Sequence, residues 1–147
     1  MAKLRLEIEE EATLKLLGIQ SNWSEHRLVW AINRQFGIQL QRSEDFYIES
    51  RADESNQVLF STESKHFFSV FLYESDDEQA ILVANIGQGL PLFDKRRKLD
   101  YMLKVSSKYL EESECIQKLN EIKGVLATTR IECDVDELAA RPFSSFI

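Results

Sequence analysis

Hydrophobic positions near the start of the chain change from the spacing of a strand to that of a helix. Residues 13–20 (TLKLLGIQ) predict a first strand, and residues 25–36 (EHRLVWAINRQF) predict the first helix. At roughly 100° per residue, the apolar side chains of this helix fall within one arc, as expected of a stripe that faces a core: Leu28, Val29, Ile32 and Phe36.

Local signals mark both ends of this helix. Asn22 is a suitable N-cap residue, and Glu25 follows it at the spacing of a capping box. Gly37 comes directly after the apolar pattern, where a residue in the left-handed conformation commonly ends a helix. We therefore expect the helix to begin after Asn22 and to end at Gly37.

The middle of the chain predicts strands. Alternating or β-forming patterns occur in four stretches: residues 39–49, 58–60, 67–73 and 80–86. The third of these (FFSVFLY) carries large apolar groups on both faces, which predicts a central strand that is covered on both sides. Asp76, Asp77 and Glu78 predict the hairpin turn that follows it.

The last third of the chain predicts a strand, a helix and another strand. Residues 99–106 alternate, residues 110–123 carry an apolar stripe at helical spacing, and residues 125–131 alternate again. A short helical segment at 137–140 precedes the apolar tail 142–147. This tail could dock on its own domain or exchange onto a neighbouring copy. We expect docking on its own domain, because free tails are usually polar.

The order of these elements predicts a single α+β domain over residues 1–147. We expect an antiparallel or mixed sheet with two main helices packed on it. The strand–helix–strand segment 99–131 is typical of one half of a ferredoxin-like or ACT-like unit.

Composition and charge narrow the class of protein. The chain has 147 residues, 44% hydrophobic and 29% charged residues and a net charge of −7, which is typical of a soluble globular protein. An acidic protein repels nucleic acid and anionic membranes, so neither is an expected partner. Residues 1–12 show no secretory signal, and the two cysteines are most simply reduced thiols. We therefore expect a cytoplasmic protein.

Few patterns indicate a reactive centre. Cys115 and Cys133 do not have the spacing of metal ligands, and neither do the two histidines. Gly87-Gln88-Gly89 lacks the third glycine of a dinucleotide-binding loop. Cys115 falls on the apolar stripe of its helix, where a buried free thiol is common. The sequence therefore predicts no metal, no cofactor and no catalytic residues, and it favours a protein that is not an enzyme.

The far side of the first helix carries the most informative set of side chains. An aromatic ring lies there among polar groups: His26, Trp30, Asn33 and Arg34. Tryptophan buries a large area and often anchors interfaces, so one interpretation is packing within the chain or against a second subunit. The other interpretation is a ligand pocket in which the remaining three side chains make polar contacts.

A second candidate is the connection 87–98 (GQGLPLFDKRRK). An apolar tip, Leu90 to Phe93, is followed by four cations: Lys95, Arg96, Arg97 and Lys98. This basic loop could contact an acidic partner, a phosphate or RNA. The alternative is a partly docked loop with a solvated basic end, which suits an acidic domain better.

Several of these positions together resemble a known bacterial family of small proteins, which is named for an Ile-Pro-Glu-x-x-x-Val-Asp-Tyr motif. The residues that carry the likeness are Leu17-Gly18-Ile19, Arg27-Leu28, Trp30, Asn33, Gly37, Arg42, Asp45-Phe46 and Leu99-Asp100-Tyr101 followed by Met102-Leu103-Lys104. The Ile-Pro-Glu part is replaced by Phe93-Asp94-Lys95, and Pro91 lies three residues before the position of the motif's proline.

The resemblance implies a small cytoplasmic bacterial protein with no established activity or cofactor. It also directs attention to Arg27, Trp30, Asn33, Asp100 and Tyr101. Because Asp100 begins a predicted strand, we expect its carboxylate to pair with a guanidinium of the first helix, Arg27 or Arg34.

Two functional hypotheses follow from the sequence. The first is a non-enzymatic protein-binding or regulatory domain, acting as a homodimer or with another cytoplasmic protein. The second is a small-molecule sensor or enzyme with a pocket around Trp30 and Tyr101.

Overall fold

The computed structural model describes residues 13–51, 63–87, 90–93, 96 and 98–146. Ten strands and two α-helices follow one another in these ranges: β1 Thr13–Ser21, α1 Glu25–Phe36, β2 Gln41–Arg42, β3 Phe46–Arg51, β4 Glu63–Phe68, β5 Val70–Glu74, β6 Glu78–Ala84, β7 Ile86–Gly87, β8 Leu90–Pro91, β9 Tyr101–Ser107, α2 Glu112–Asn120 and β10 Val125–Asp134. A 3-10 helix, Leu138–Phe146, follows the last strand. The predicted strand at 58–60 lies outside the described residues.

Six strands form the main sheet, in the order β10-β1-β9-β6-β5-β2, and every pair of neighbours is antiparallel. β9 and β10 are joined by α2 but lie on either side of β1. This split strand–helix–strand arrangement is the one found in ferredoxin-like units. The prediction of an α+β fold with an antiparallel sheet and two main helices is confirmed.

Both helices pack on the same face of the sheet. Leu28 and Ile32 of α1 and Leu119 of α2 are fully buried in one cluster with Leu82 and Leu103 of the sheet. Burial of apolar area of this kind supplies most of the stability of such a layer. The apolar stripe predicted for the first helix is thus its core-facing side.

A second cluster covers the opposite face of the sheet. It joins Leu16, Val83 and Met102 of the sheet to Phe68 and Phe143, which come from outside the six strands. Phe143 lies in the 3-10 helix and is completely buried. The predicted short helical segment therefore continues through Pro142 into the tail, and the tail docks on its own chain through Phe143.

The segment 67–73 is not one central strand, and that prediction was wrong. β4 ends at Phe68 and β5 begins at Val70, with Ser69 outside both strands. Among the described strands, β4 pairs only with β3, in a separate two-stranded sheet, whereas β5 lies between β6 and the short β2. Phe68 and Val70 pack on the face opposite the helices, while Phe71 packs on the helix face. The predicted turn between β5 and β6 is confirmed by their antiparallel pairing.

The ends of the helices differ in part from the prediction. Gly37 ends α1 in the left-handed conformation with φ 66°, as expected. The capping box was wrong, because Ser24 is the N-cap residue and makes no side-chain capping hydrogen bond. α2 is shorter than predicted and covers Glu112–Asn120.

Candidate functional site

Trp30 projects from the outer surface of α1. Its side chain is 59% exposed, on the side of the helix away from the buried Leu28 and Ile32. The Arg34 guanidinium lies 5.4 Å from the centroid of the indole ring, in cation–π contact. His26 is also exposed. We call His26, Trp30 and Arg34 the α1 surface; it combines a large aromatic ring with a guanidinium and an imidazole.

The Asn33 side chain makes its hydrogen bonds within the fold instead. The Leu40 N–H donates to Asn33 Oδ1 at 2.7 Å, and Asn33 Nδ2 donates to the Leu40 carbonyl at 3.3 Å. The two hydrogen bonds close the turn that follows Gly37. This amide therefore positions the chain after α1, and its polar atoms do not face a ligand site.

Asp100 holds the end of β1. Its Oδ2 accepts the Ser21 N–H at 2.8 Å. The Ser21 hydroxyl donates to the Gly124 carbonyl at 2.7 Å and accepts the Trp23 N–H at 3.1 Å. The predicted ion pair of Asp100 with Arg27 or Arg34 was wrong, since the described ion pairs include none between these side chains. The carboxylate satisfies a backbone donor at the junction of β1 and α1 instead.

Arg27 stacks on a tryptophan that the sequence analysis missed. Its guanidinium lies 4.0 Å from the ring centroid of Trp23. Trp23 precedes α1 and so falls outside the helical period. Its ring packs against Gly124, which is distant in the sequence. The one local indication of this contact in the sequence is an aromatic residue between a predicted strand and a predicted helix.

Tyr101 lies on the buried side of α1. It is only 9% exposed and belongs to the cluster between the helices and the sheet. Burial raises the pKa of its hydroxyl to about 12, and the nearby carboxylates of Glu25 and Asp100 act in the same direction. Trp30 and Tyr101 therefore lie on different sides of α1. Neither of them lines a cavity described for this part of the chain.

Buried Asn85 shapes the basic loop. Its Nδ2 donates to the carbonyls of Arg96 at 2.9 Å and Leu99 at 2.8 Å, and its Oδ1 accepts the Phe93 N–H at 2.8 Å. Leu92 and Phe93 are consequently packed against the domain, each 6% exposed. Arg96 and Lys98 are exposed, while Lys95 and Arg97 lie outside the described residues.

The basic loop forms one wall of the largest described cleft, which has a volume of about 670 Å³. β10 and the 3-10 helix complete it. The lining combines an apolar floor with one guanidinium, two carboxylates and a thiol: Leu92, Phe93, Arg96, Glu132, Cys133, Glu137, Leu138 and Ala139. This volume falls within the usual range of small-molecule sites. A second cavity, beside α2, has only about 80 Å³.

Neither cysteine has the environment of an activated nucleophile. Burial and the carboxylates of Glu137 and Asp134 raise the pKa of the Cys133 thiol to about 11. Burial, reinforced by nearby carboxylates, also raises the pKa of Cys115, which lies on the buried side of α2. Catalytic thiols require a lowered pKa. Within the described ranges, histidine, cysteine and acidic side chains form no group of three or more that could hold a metal ion.

Comparison with known proteins gave no relative of this chain. Neither the protein-family models nor the curated proteins include a match to the sequence, and the solved structures include no match to the fold. In the described part of the chain, no helix is both long and apolar enough to cross a membrane.

Proposed function

We propose that this chain is a non-enzymatic protein-binding or regulatory domain of the cytoplasm, that it acts as a homodimer, and that the α1 surface is its binding surface. The observation that carries the proposal is the exposure of Trp30, 59% on the outer side of an otherwise well-packed helix. Tryptophan and arginine are among the residues that most often dominate interface energies.

The charges around Trp30 indicate the kind of partner. Arg34 and Arg27 are exposed on the same helix, although the whole chain has a net charge of −7. Glu25, the acidic residue of the first turn, is already paired with Arg42 at 3.1 Å. The α1 surface is thus a local cationic and aromatic region, and it suits an acidic surface on a partner protein.

The polar residues near this surface support a binding role over a catalytic one. Asn33 and Asp100 are occupied by backbone hydrogen bonds, and Tyr101 has a raised pKa in the core. Each of these groups stabilises the fold in its present position. What remains for contact is the aromatic ring of Trp30 and the guanidinium of Arg34 beside it.

Light scattering coupled to size-exclusion chromatography tests the homodimer. We expect a mass of twice the 17.1 kDa of the chain at micromolar concentration. A monomeric mass at every concentration would contradict the homodimer.

Comparative affinity capture from the native cytoplasm tests the α1 surface. We expect Trp30→Ala to lose proteins that the wild-type chain retains. Tyr109→Ala is the matched control, because Tyr109 is a 68% exposed aromatic residue that lies outside α1. Equal capture by all three chains would contradict a role of the α1 surface.

The large cleft supports a second candidate function, small-molecule binding. This candidate differs in location from the pocket expected around Trp30 and Tyr101, because the cleft lies between the basic loop and the 3-10 helix. A thermal-shift screen of metabolites should then find a compound that raises the melting temperature. The shift should disappear in Arg96→Ala and persist in Trp30→Ala; a shift that Arg96→Ala leaves unchanged would place the ligand elsewhere.

A further inference from the structure

β10 is the terminal strand of the main sheet and is ten residues long. One of its edges pairs with β1 along nearly its whole length. In the described part of the chain, no strand pairs with the other edge. At the opposite end of the sheet, by contrast, the terminal strand β2 has only two residues. Long open edges invite pairing with another chain, and short edge strands discourage it.

The pairing with β1 defines which side of the sheet each residue of β10 faces. Arg130 lies opposite Leu17, whose side chain is in the helix-side cluster, and Glu132 lies opposite Lys15. Ile131, between them, is buried in the cluster on the other face. Arg130 and Glu132 are both exposed, and they point to the same face because strand side chains alternate.

We infer that two copies of this chain join through antiparallel pairing of their β10 strands, centred on Ile131, so that the two sheets become continuous. The inference rests on the homodimer of the proposed function and adds the surface that forms it. In this register Arg130 of each copy lies directly opposite Glu132 of the other copy. Two complementary charge pairs therefore flank the two-fold axis, and opposite-charge pairs across strands are stabilising.

Neighbouring registers are less complementary. Centring the pair on Arg130 or on Glu132 places two like charges opposite each other at the two-fold axis, which is destabilising. The register centred on Glu132 also places Arg130 opposite Asp134, but it keeps the two facing glutamates, whereas the register centred on Ile131 has no facing like charges. Centring it on Thr129 places Glu132 opposite Leu126, next to the irregularity that interrupts the β1–β10 pairing between Gln20 and Ser21. The helices of both copies lie on the same face of the joined sheet only when one residue of β10 is paired with the same residue of the second copy.

Cross-linking tests the register. Thr129 lies opposite Cys133 of the second copy, and directly paired residues of antiparallel strands have Cα atoms about 4.5–5.5 Å apart, which a disulfide can span. We expect Thr129→Cys, treated with diamide, to give a covalent dimer on a non-reducing gel, with the wild type as negative control. Thr129→Cys with Cys133→Ser should give none; a covalent dimer of that double variant would indicate a register centred on Thr129 and would overturn the inference.

Charge reversal tests the complementary pairs without a covalent bond. We expect Glu132→Arg to raise the dimer dissociation constant by roughly tenfold or more, because it faces Arg130 of the second copy. Arg130→Glu combined with Glu132→Arg should restore most of the dimer affinity lost in Glu132→Arg, although within each chain it places like charges beside Glu112 and opposite Lys15. Unchanged dissociation constants in both variants would overturn the inference.

The tests separate this inference from the proposed function. A wild-type dimer that Thr129→Cys does not cross-link refutes the β10 interface and leaves the homodimer and the α1 surface in place. A wild-type monomer refutes both the interface and the homodimer. Dimerisation through β10 leaves the α1 surface free, so Trp30→Ala should keep the dimer mass and lose only the captured proteins.

Discussion

Trp23 packs against the backbone of Gly124 so closely that a methyl group on Gly124 would overlap the indole ring. Trp23 lies between β1 and α1, and Gly124 lies between α2 and β10. The contact therefore joins the two connections that carry the chain between the sheet and its helices. The Ser21 hydroxyl reinforces it by donating to the Gly124 carbonyl.

We predict that Gly124→Ala lowers the free energy of unfolding by about 1–3 kcal/mol, the usual cost of overpacking a filled site. The destabilisation comes from steric overlap and not from backbone strain at Gly124, because Gly37 is the one described glycine with a positive φ. Urea denaturation measures the effect. In a Trp23→Ala background the same substitution should cost much less; an equal cost in both backgrounds would contradict the packing explanation.

The sequence predicted features that depend on local pattern and missed those that depend on distant partners. The apolar stripe of α1 and its end at Gly37 follow from helical periodicity and glycine conformation. The break at Ser69 was missed because large apolar residues continue on both sides of it. The role of Asp100 was missed because its partner Ser21 is 79 residues away. Among the candidate site residues, exposure of Trp30 could be expected from its place opposite the stripe.

Asn85 should be the most sensitive polar residue of the fold. Its amide makes three hydrogen bonds that hold the loop between Leu92 and Leu99, and it is fully buried. We predict that Asn85→Ala lowers the free energy of unfolding by about 3 kcal/mol, because buried partners are left unsatisfied. Chemical denaturation measures this, with exposed Asn120→Ala as control. Equal stability of the two variants would contradict the assigned role.

Tyr101 should make stability fall at high pH. Its hydroxyl ionises near pH 10.0 in an unfolded chain and near pH 12 in the fold. Between these values the unfolded state loses the proton first, so rising pH favours unfolding. We predict that the wild type loses stability relative to Tyr101→Phe from pH 10 to 12, and the urea midpoint of both chains measures it. A difference in urea midpoint between the two chains that stays constant across this pH range would show that the pKa of the Tyr101 hydroxyl is not raised.

Substitution of Asn33 should affect the stability of the fold without affecting binding at the α1 surface. Its amide closes the turn to Leu40 through two hydrogen bonds, although it lies one turn from the exposed Trp30. We predict that Asn33→Ala lowers the free energy of unfolding by about 1–3 kcal/mol and leaves Trp30-dependent capture unchanged below the melting transition. Asn33→Asp should recover part of the stability, because it keeps the acceptor for the Leu40 N–H. Exposed Asn22→Ala serves as the control. A variant of Asn33 with wild-type stability and no capture would instead assign the amide to the binding surface.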